Sequence, residues 1–132
     1  YLKSLIKYYQ AEEYILLEKE TFVEEEIGKL FFDSDMLVSP GNVGLNAVHA
    51  LCYGTPVLTH NNFKNQMPEH EVIEENRNGC FHLENDIDNI VERIEDWFKN
   101  QHQGYSGEKA RKILIKNYNP ETQVRIFEEI LK

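Results

Sequence analysis

The chain has 132 residues, the size of one compact domain. Its 14 Lys and Arg stand against 23 Asp and Glu, a formal charge of −9, which argues against a general nucleic-acid binder because phosphates need a basic footprint. Hydrophobic residues at 41% and charged residues at 28% exclude a disordered tail or a collagen-like repeat, and no apolar run is long enough to span a membrane.

Residues 1–10 place Leu2, Leu5, Ile6 and Tyr9 at helical spacing. The helix starts at once with Tyr1 rather than Met, so the chain is expected to be a piece of a longer protein. Residues 13–18, EYILLE, hold a short apolar run that predicts a strand. Thr21 with Glu24 three residues on reads as a capping box, opening a helix with Phe22, Val23, Ile27, Leu30 and Phe31 inward and ending near Asp33-Ser34. Met36, Leu37 and Val38 predict a buried strand, closed by Ser39-Pro40-Gly41.

A helix over roughly 44–53 follows and stops at Gly54, a residue suited to a left-handed C-cap. Residues 55–59 predict a strand with Pro56 near its start, residues 60–70 a polar turn, and 69–76 a short helix. Asn78-Gly79 reads as a turn before a short strand at Cys80-Phe81-His82. Ile87, Ile90, Val91, Ile94, Trp97 and Phe98 form one apolar stripe over 85–100. Ser106 is positioned to cap a helix to about 117, and Asn119-Pro120 to start a last one with Val124, Ile126, Phe127, Ile130 and Leu131. Trp97, Phe98 and Phe127 are expected in the core. Strands alternating with helices predict an α/β fold, a parallel sheet flanked by helices with further helices at the C-terminal end. Cys52 and Cys80 are too few for a disulfide framework or a cysteine-rich zinc site; both read as buried free thiols, which favours a reducing compartment.

The stretch that carries chemistry is 35–62, DMLVSPGNVGLNAVHALCYGTPVLTHNN. In parallel α/β sheets ligands sit beyond the carboxyl ends of the strands. Gly41 and Gly44 in the strand-to-helix turn let backbone amides approach an anion, and the helix N-terminus adds partial positive charge. Such a turn also serves geometry alone in many folds. On the helix, Leu45, Val48 and Cys52 share a core side with Leu51 adjacent, while Asn42, Asn46, His49 and Tyr53 share another. That polar stripe is a candidate cleft wall; the alternatives are a solvated face, or a histidine capped by a neighbouring carbonyl. His60, Asn61 and Asn62 follow the next strand at the same sheet edge, as ligand-bordering groups or as turn formers. Glu24-Glu25-Glu26 and Glu74-Glu75 read as solvated helix faces. His60, Glu69, His70 and Glu71 match no zinc spacing.

SPGNVGLNAVHALCYGTPVLTHNN followed by PEHEVIEENRNG resembles the C-terminal half of GT-B-fold glycosyltransferases of the group 1, family 4 type, over about residues 13–99. The most specific part is Ala50 to Val57, Ala-x-x-x-Gly-Thr-Pro-Val. The resemblance implies a Rossmann-like donor-binding domain, with the N-terminal acceptor domain absent from this chain and the active site in the cleft between the two. Gly44 and Leu45 match the turn whose amides hold the donor diphosphate, with Asn42, Val43 and Asn46 beside them. Pro40 matches the end of the preceding strand, and Gly54 to Val57 match a structural turn. Glu69 after Pro68 resembles the Pro-Glu opening the next short helix, and His60 and Asn61 border the donor. Two glutamates of the family pattern fall here at Gly41 and His49, and the basic residues that neutralise the diphosphate would lie upstream.

The function implied is transfer of a sugar from a UDP- or GDP-linked nucleotide-sugar to an acceptor in polysaccharide or glycoconjugate synthesis, retaining in stereochemistry. The nucleotide-sugar is substrate, so no cofactor and no metal is expected, and no catalytic residue is assigned within this chain. The isolated piece is expected to be inactive and cytoplasmic, with peripheral contact at the inner membrane face only through the absent half. The alternative is a degenerate, non-catalytic glycan- or partner-binding module of the same fold. A receiver domain ranks low, because Asp35 stands at the wrong end of its strand for a phosphoacceptor.

Overall fold

The computed structural model describes residues 1–101 and 105–132. Helix α1 is Leu2–Tyr8, α2 is Glu24–Phe32, strand β1 is Leu37–Ser39, and α3 is Leu45–Cys52. Strand β2 is Val57–His60, β3 is Gly79–His82, and α4 is Ile87–Asp96. Helices α5, Gly107–Asn117, and α6, Pro120–Ile130, complete the order. The sheet has order β1-β2-β3 and is parallel throughout, Leu37 pairing with Val57 and Val57 with Gly79. Parallel neighbours need crossovers, and α3 supplies the one between β1 and β2. This is the Rossmann-like α/β architecture expected from the alternation of elements.

Strand β2 is central and fully buried, as a parallel strand covered on both faces must be. Below it lies a core of Val43, Ala47, Ala50, Leu51, Val57, Val72, Ile73, Ala110 and Leu114. Ala47 and Ala50 are small, so α3 sits close to the sheet and to α5. A second cluster joins Leu58, Cys80 and Trp97. The buried side of α3 is therefore Ala47, Ala50 and Leu51; Leu45 is 72% exposed and Cys52 half-buried, a rotation from the expected core side. Cys80 is buried as expected.

Residues 13–18 do not form a strand. Tyr14 and Leu16 lie exposed, and the N–H groups of Tyr14 and Ile15 donate to Ala11 O at 3.0 and 2.9 Å, so a local turn takes the amides a ladder would need. β1 has three residues and offers little edge to compete with that turn. The capping box is also absent. Val23 is the N-cap of α2, and Thr21 Oγ1 instead accepts from Val23 N at 3.2 Å and donates to Glu26 Oε2 at 2.5 Å. Phe22, Val23 and Leu30 are exposed, leaving Ile27 and Phe31 as the half-buried side.

The strand expected at 55–59 begins two residues later, because Pro56 has no N–H for the ladder. The helix expected at 69–76 is a 3-10 turn, Pro68–Val72, started by proline at its first position. α4 is capped by Asp86, whose carboxylate accepts from Asn89 N at 2.9 Å, and it runs into a π-helical turn, Trp97–Gln101. Within its stripe Trp97 is buried, but Ile87, Val91 and Phe98 are exposed. Ser106 and Asn119 do cap α5 and α6, accepting from Lys109 N and Thr122 N at 3.4 and 2.7 Å. Val124, Ile126, Phe127, Ile130 and Leu131 of α6 are exposed, so this stripe finds no cover among the described residues and Phe127 is not core. No helix among the described residues is long and apolar enough to cross a membrane.

Candidate functional site

The turn between β1 and α3 stands at the carboxyl end of the sheet. Val43, 2% exposed, plugs it into the core. Gly44 is the N-cap of α3 with φ 52° and ψ −148°, a backbone state that side chains rarely allow, and no side chain caps the helix. A Cβ added at Gly41 or Gly44 would meet nothing within 4 Å, so open space lies ahead of both.

The amides of this turn divide into two sets. Val43 N–H donates to Gln66 Oε1 at 3.1 Å. Gln66 Nε2 donates onward to Thr59 Oγ1 at 2.8 Å and to His60 O at 3.1 Å. Thr59 Oγ1 donates to Gly41 O at 3.0 Å, fixing the other side of the turn. Among the described residues nothing accepts from the N–H groups of Gly44, Leu45 or Asn46. Three consecutive amides at the N-terminus of α3 are thus left without an internal acceptor, beside the open space at Gly41 and Gly44.

The model of the family described as Glycosyl transferases group 1 matches residues 1–119. This chain belongs to the group 1 glycosyltransferases. No curated protein matches it closely enough to count as a relative. The family match reaches further at both ends than residues 13–99, taking in α1 and α5.

In this glycosyltransferase His49 is neither simply solvated nor capped by a carbonyl. Its Nε2 lies 2.8 Å from Glu24 Oε1 on α2, and Tyr53 OH donates to the same oxygen at 2.7 Å. The hydrogen bond with His49, then that from Tyr53, holds the Glu24 carboxyl below its ordinary range, and Glu24 in return raises the Tyr53 phenol. Phe31 stacks on Tyr53 with ring centroids 6.2 Å apart and completes the cluster. One member of the acidic run read as a solvated face thus anchors α3 to α2.

His60 is 2% exposed, its Nδ1 accepting from Asn62 N–H at 3.2 Å, and its ring meets the edge of His82 at 6.3 Å. Asn61 stands exposed where β2 ends, its N–H donating to His82 O at 2.9 Å. Asn42, Leu45 and Asn46 are exposed around the turn. Glu69 lies in the 3-10 turn that packs on α3, and its Oε2 is buried with no hydrogen-bond partner among the described residues. Also among them, no three His, Cys, Asp or Glu side chains gather as a metal site.

Gln66 and Thr59 were not singled out in the sequence. Gln66 sits in a polar stretch with no periodicity, and Thr59 is one residue of a strand. Their roles come from the turn that tertiary packing brings to them.

Proposed function

We propose that this chain is the donor-binding domain of its glycosyltransferase, taking the diphosphate of a UDP- or GDP-linked sugar on the amides of Gly44, Leu45 and Asn46. The observation that carries this reading is the division of amides in the turn: Val43 N–H is satisfied internally, and the next three are open with a helix behind them. Such donors stabilise the charge that develops on a departing diphosphate without reorganising. Gly41 leaves room for the sugar, while Asn42, Val43, His49, His60 and Asn61 define the surroundings. Glu69 offers a carboxylate oxygen lacking a donor, the complement of a ribose or sugar hydroxyl.

The acceptor and any general base belong to an N-terminal domain outside this chain, so the piece alone binds donor without turning it over. The exposed apolar side of α6 supports further protein packing there. The transfer retains configuration and serves polysaccharide or glycoconjugate assembly in the cytoplasm, with membrane contact through the other half. Titration of UDP and GDP into the intact protein and into Gly44→Val tests the reading. Binding by the parent and loss in the variant is expected; no binding of either nucleotide by the parent at millimolar levels ends it.

A second reading has one observation in its favour. Gly41 and His49 stand where the family pattern has glutamates, and the His49 ring is already engaged by Glu24. A non-catalytic module that binds glycans or partners would keep the fold and lose transfer. His49→Ala in the full-length enzyme separates the two, since only a catalyst loses turnover.

A further inference from the structure

We infer that Gln66 is a positioning residue for the donor site, setting the direction of the Gly44, Leu45 and Asn46 amides; this rests on the donor-site reading above. The orientation of its amide is dictated by its neighbours. Val43 offers an N–H and needs an acceptor, while His60 offers a carbonyl and needs a donor, so a flipped amide would set N–H against N–H and oxygen against oxygen. Thr59 Oγ1 gives its proton to Gly41 O and therefore accepts from Gln66 Nε2. One side chain closes a circuit through both ends of the turn: Val43 after it begins to bend back, and Gly41 through Thr59.

The consequence for binding is geometric. A Val43 N–H left free would either turn toward the anion or seek another acceptor, and both would rotate the peptide planes that follow it. Gly44 has no side chain to resist that rotation. Gln66 thus holds the Val43 N–H and leaves the next three amides, of Gly44, Leu45 and Asn46, as the unpaired set. It also ties the turn to the loop that follows β2, through its bonds to Val43 N–H and His60 O.

The test uses the intact protein and three variants. Gln66→Met keeps length and removes every hydrogen bond. Gln66→Glu keeps the acceptor for Val43 and replaces the donor with a second oxygen facing His60 O. Asn119→Ala removes the α6 cap, remote from the turn, and reports what general destabilisation does. Amide exchange at residues 43–46 and titration with UDP, GDP and inorganic pyrophosphate are the readouts. Gln66→Met is expected to speed exchange at Val43 and to weaken the ligand that the parent binds by about tenfold or more, one hydrogen bond's worth of alignment. Gln66→Glu is expected to keep Val43 protected and still weaken binding, because the Thr59 side of the circuit is broken and a negative charge is added. Asn119→Ala is expected to leave affinity unchanged. Unaltered exchange and amide shifts at residues 44–46 in Gln66→Met overturn the inference whether or not any ligand binds. If the parent binds none of the three probes, the donor reading fails, and those amide shifts alone decide the role of Gln66.

Discussion

Nε2 of His49 lies 2.8 Å from Oε1 of Glu24, across 25 residues of sequence. The contact joins the first turn of α2 to the middle of α3, and Tyr53 OH shares the same oxygen. The carboxyl is held below its ordinary value of 4.5, chiefly by His49 and then by Tyr53. A carboxyl with a depressed folded pKa contributes stability above its unfolded value and loses it as pH falls through the folded one. Glu24→Gln should therefore be less stable than the parent at neutral pH, with the gap closing on acidification below the carboxylate range. The urea midpoint followed against pH measures this. The same variant should return the Tyr53 phenol toward 10.0, visible as one tyrosine in an ultraviolet titration. A constant gap across pH and no moving phenol would show that the pair is incidental.

Close backbone approaches set three glycines apart. A Cβ at Gly79 would overlap Val57 O, inside the β2–β3 ladder. At Gly54, with φ +79°, a Cβ would meet Gly107 Cα at 2.9 Å, where α5 starts against the end of α3. Neither neighbour is a flexible side chain. Gly79→Ala and Gly54→Ala should each cost about 3 kcal/mol or more, by overpacking and, at Gly54, backbone strain. Gly54→Ala and Gly107→Ala act on one contact, so their double variant should cost less than the sum of the singles. Denaturant unfolding of the four proteins decides it; full additivity would mean the two glycines do not share a constraint.

Cys80 provides a measurement at the other end of the pH scale. Burial pushes its thiol from the ordinary 9.0 up to about 11. The unfolded chain therefore releases that proton first, and the stability linked to Cys80, complete below 9.0, is lost between 9.0 and about 11. Cys80→Ala should remove this alkaline loss. At neutral pH the protonated, buried thiol should react with iodoacetamide only as fast as the structure opens. Labelling of Cys80 in the native state at the rate of a free thiol would contradict its burial.

The order of elements was readable because the signals are local. Periodicity marked the helices, Ser106 and Asn119 marked two caps, and Gly54 marked the end of α3. What failed depended on neighbours. The apolar run at 13–18 reads as a strand, yet a strand forms only where an edge receives it, and the local turn at Ala11 takes those amides instead. Thr21 has capping chemistry, but Glu24 is drawn to His49 and cannot complete the box. The open strand-to-helix turn was legible from Gly41 and Gly44, whereas Gln66 was not, because nothing in a polar loop shows which amide it will meet.

Gly41 and Gly44 look equivalent in the sequence and differ in the structure. Both have open space where a Cβ would go, so neither is required by packing. Only Gly44 has a positive φ, 52° with ψ −148°. Alanine there should cost about 1–3 kcal/mol of backbone strain or tilt the amides that follow. Alanine at Gly41 has no such penalty. Gly44→Ala is thus expected to lower the melting temperature and weaken nucleotide binding together. Gly41→Ala should melt like the parent, and any fall in its affinity would come from a methyl group standing in the ligand's path. Thermal melts paired with UDP and GDP titrations separate the two. Equal melting temperatures for both variants would show that the turn tolerates other backbone states and that its amides are not held in register for an anion.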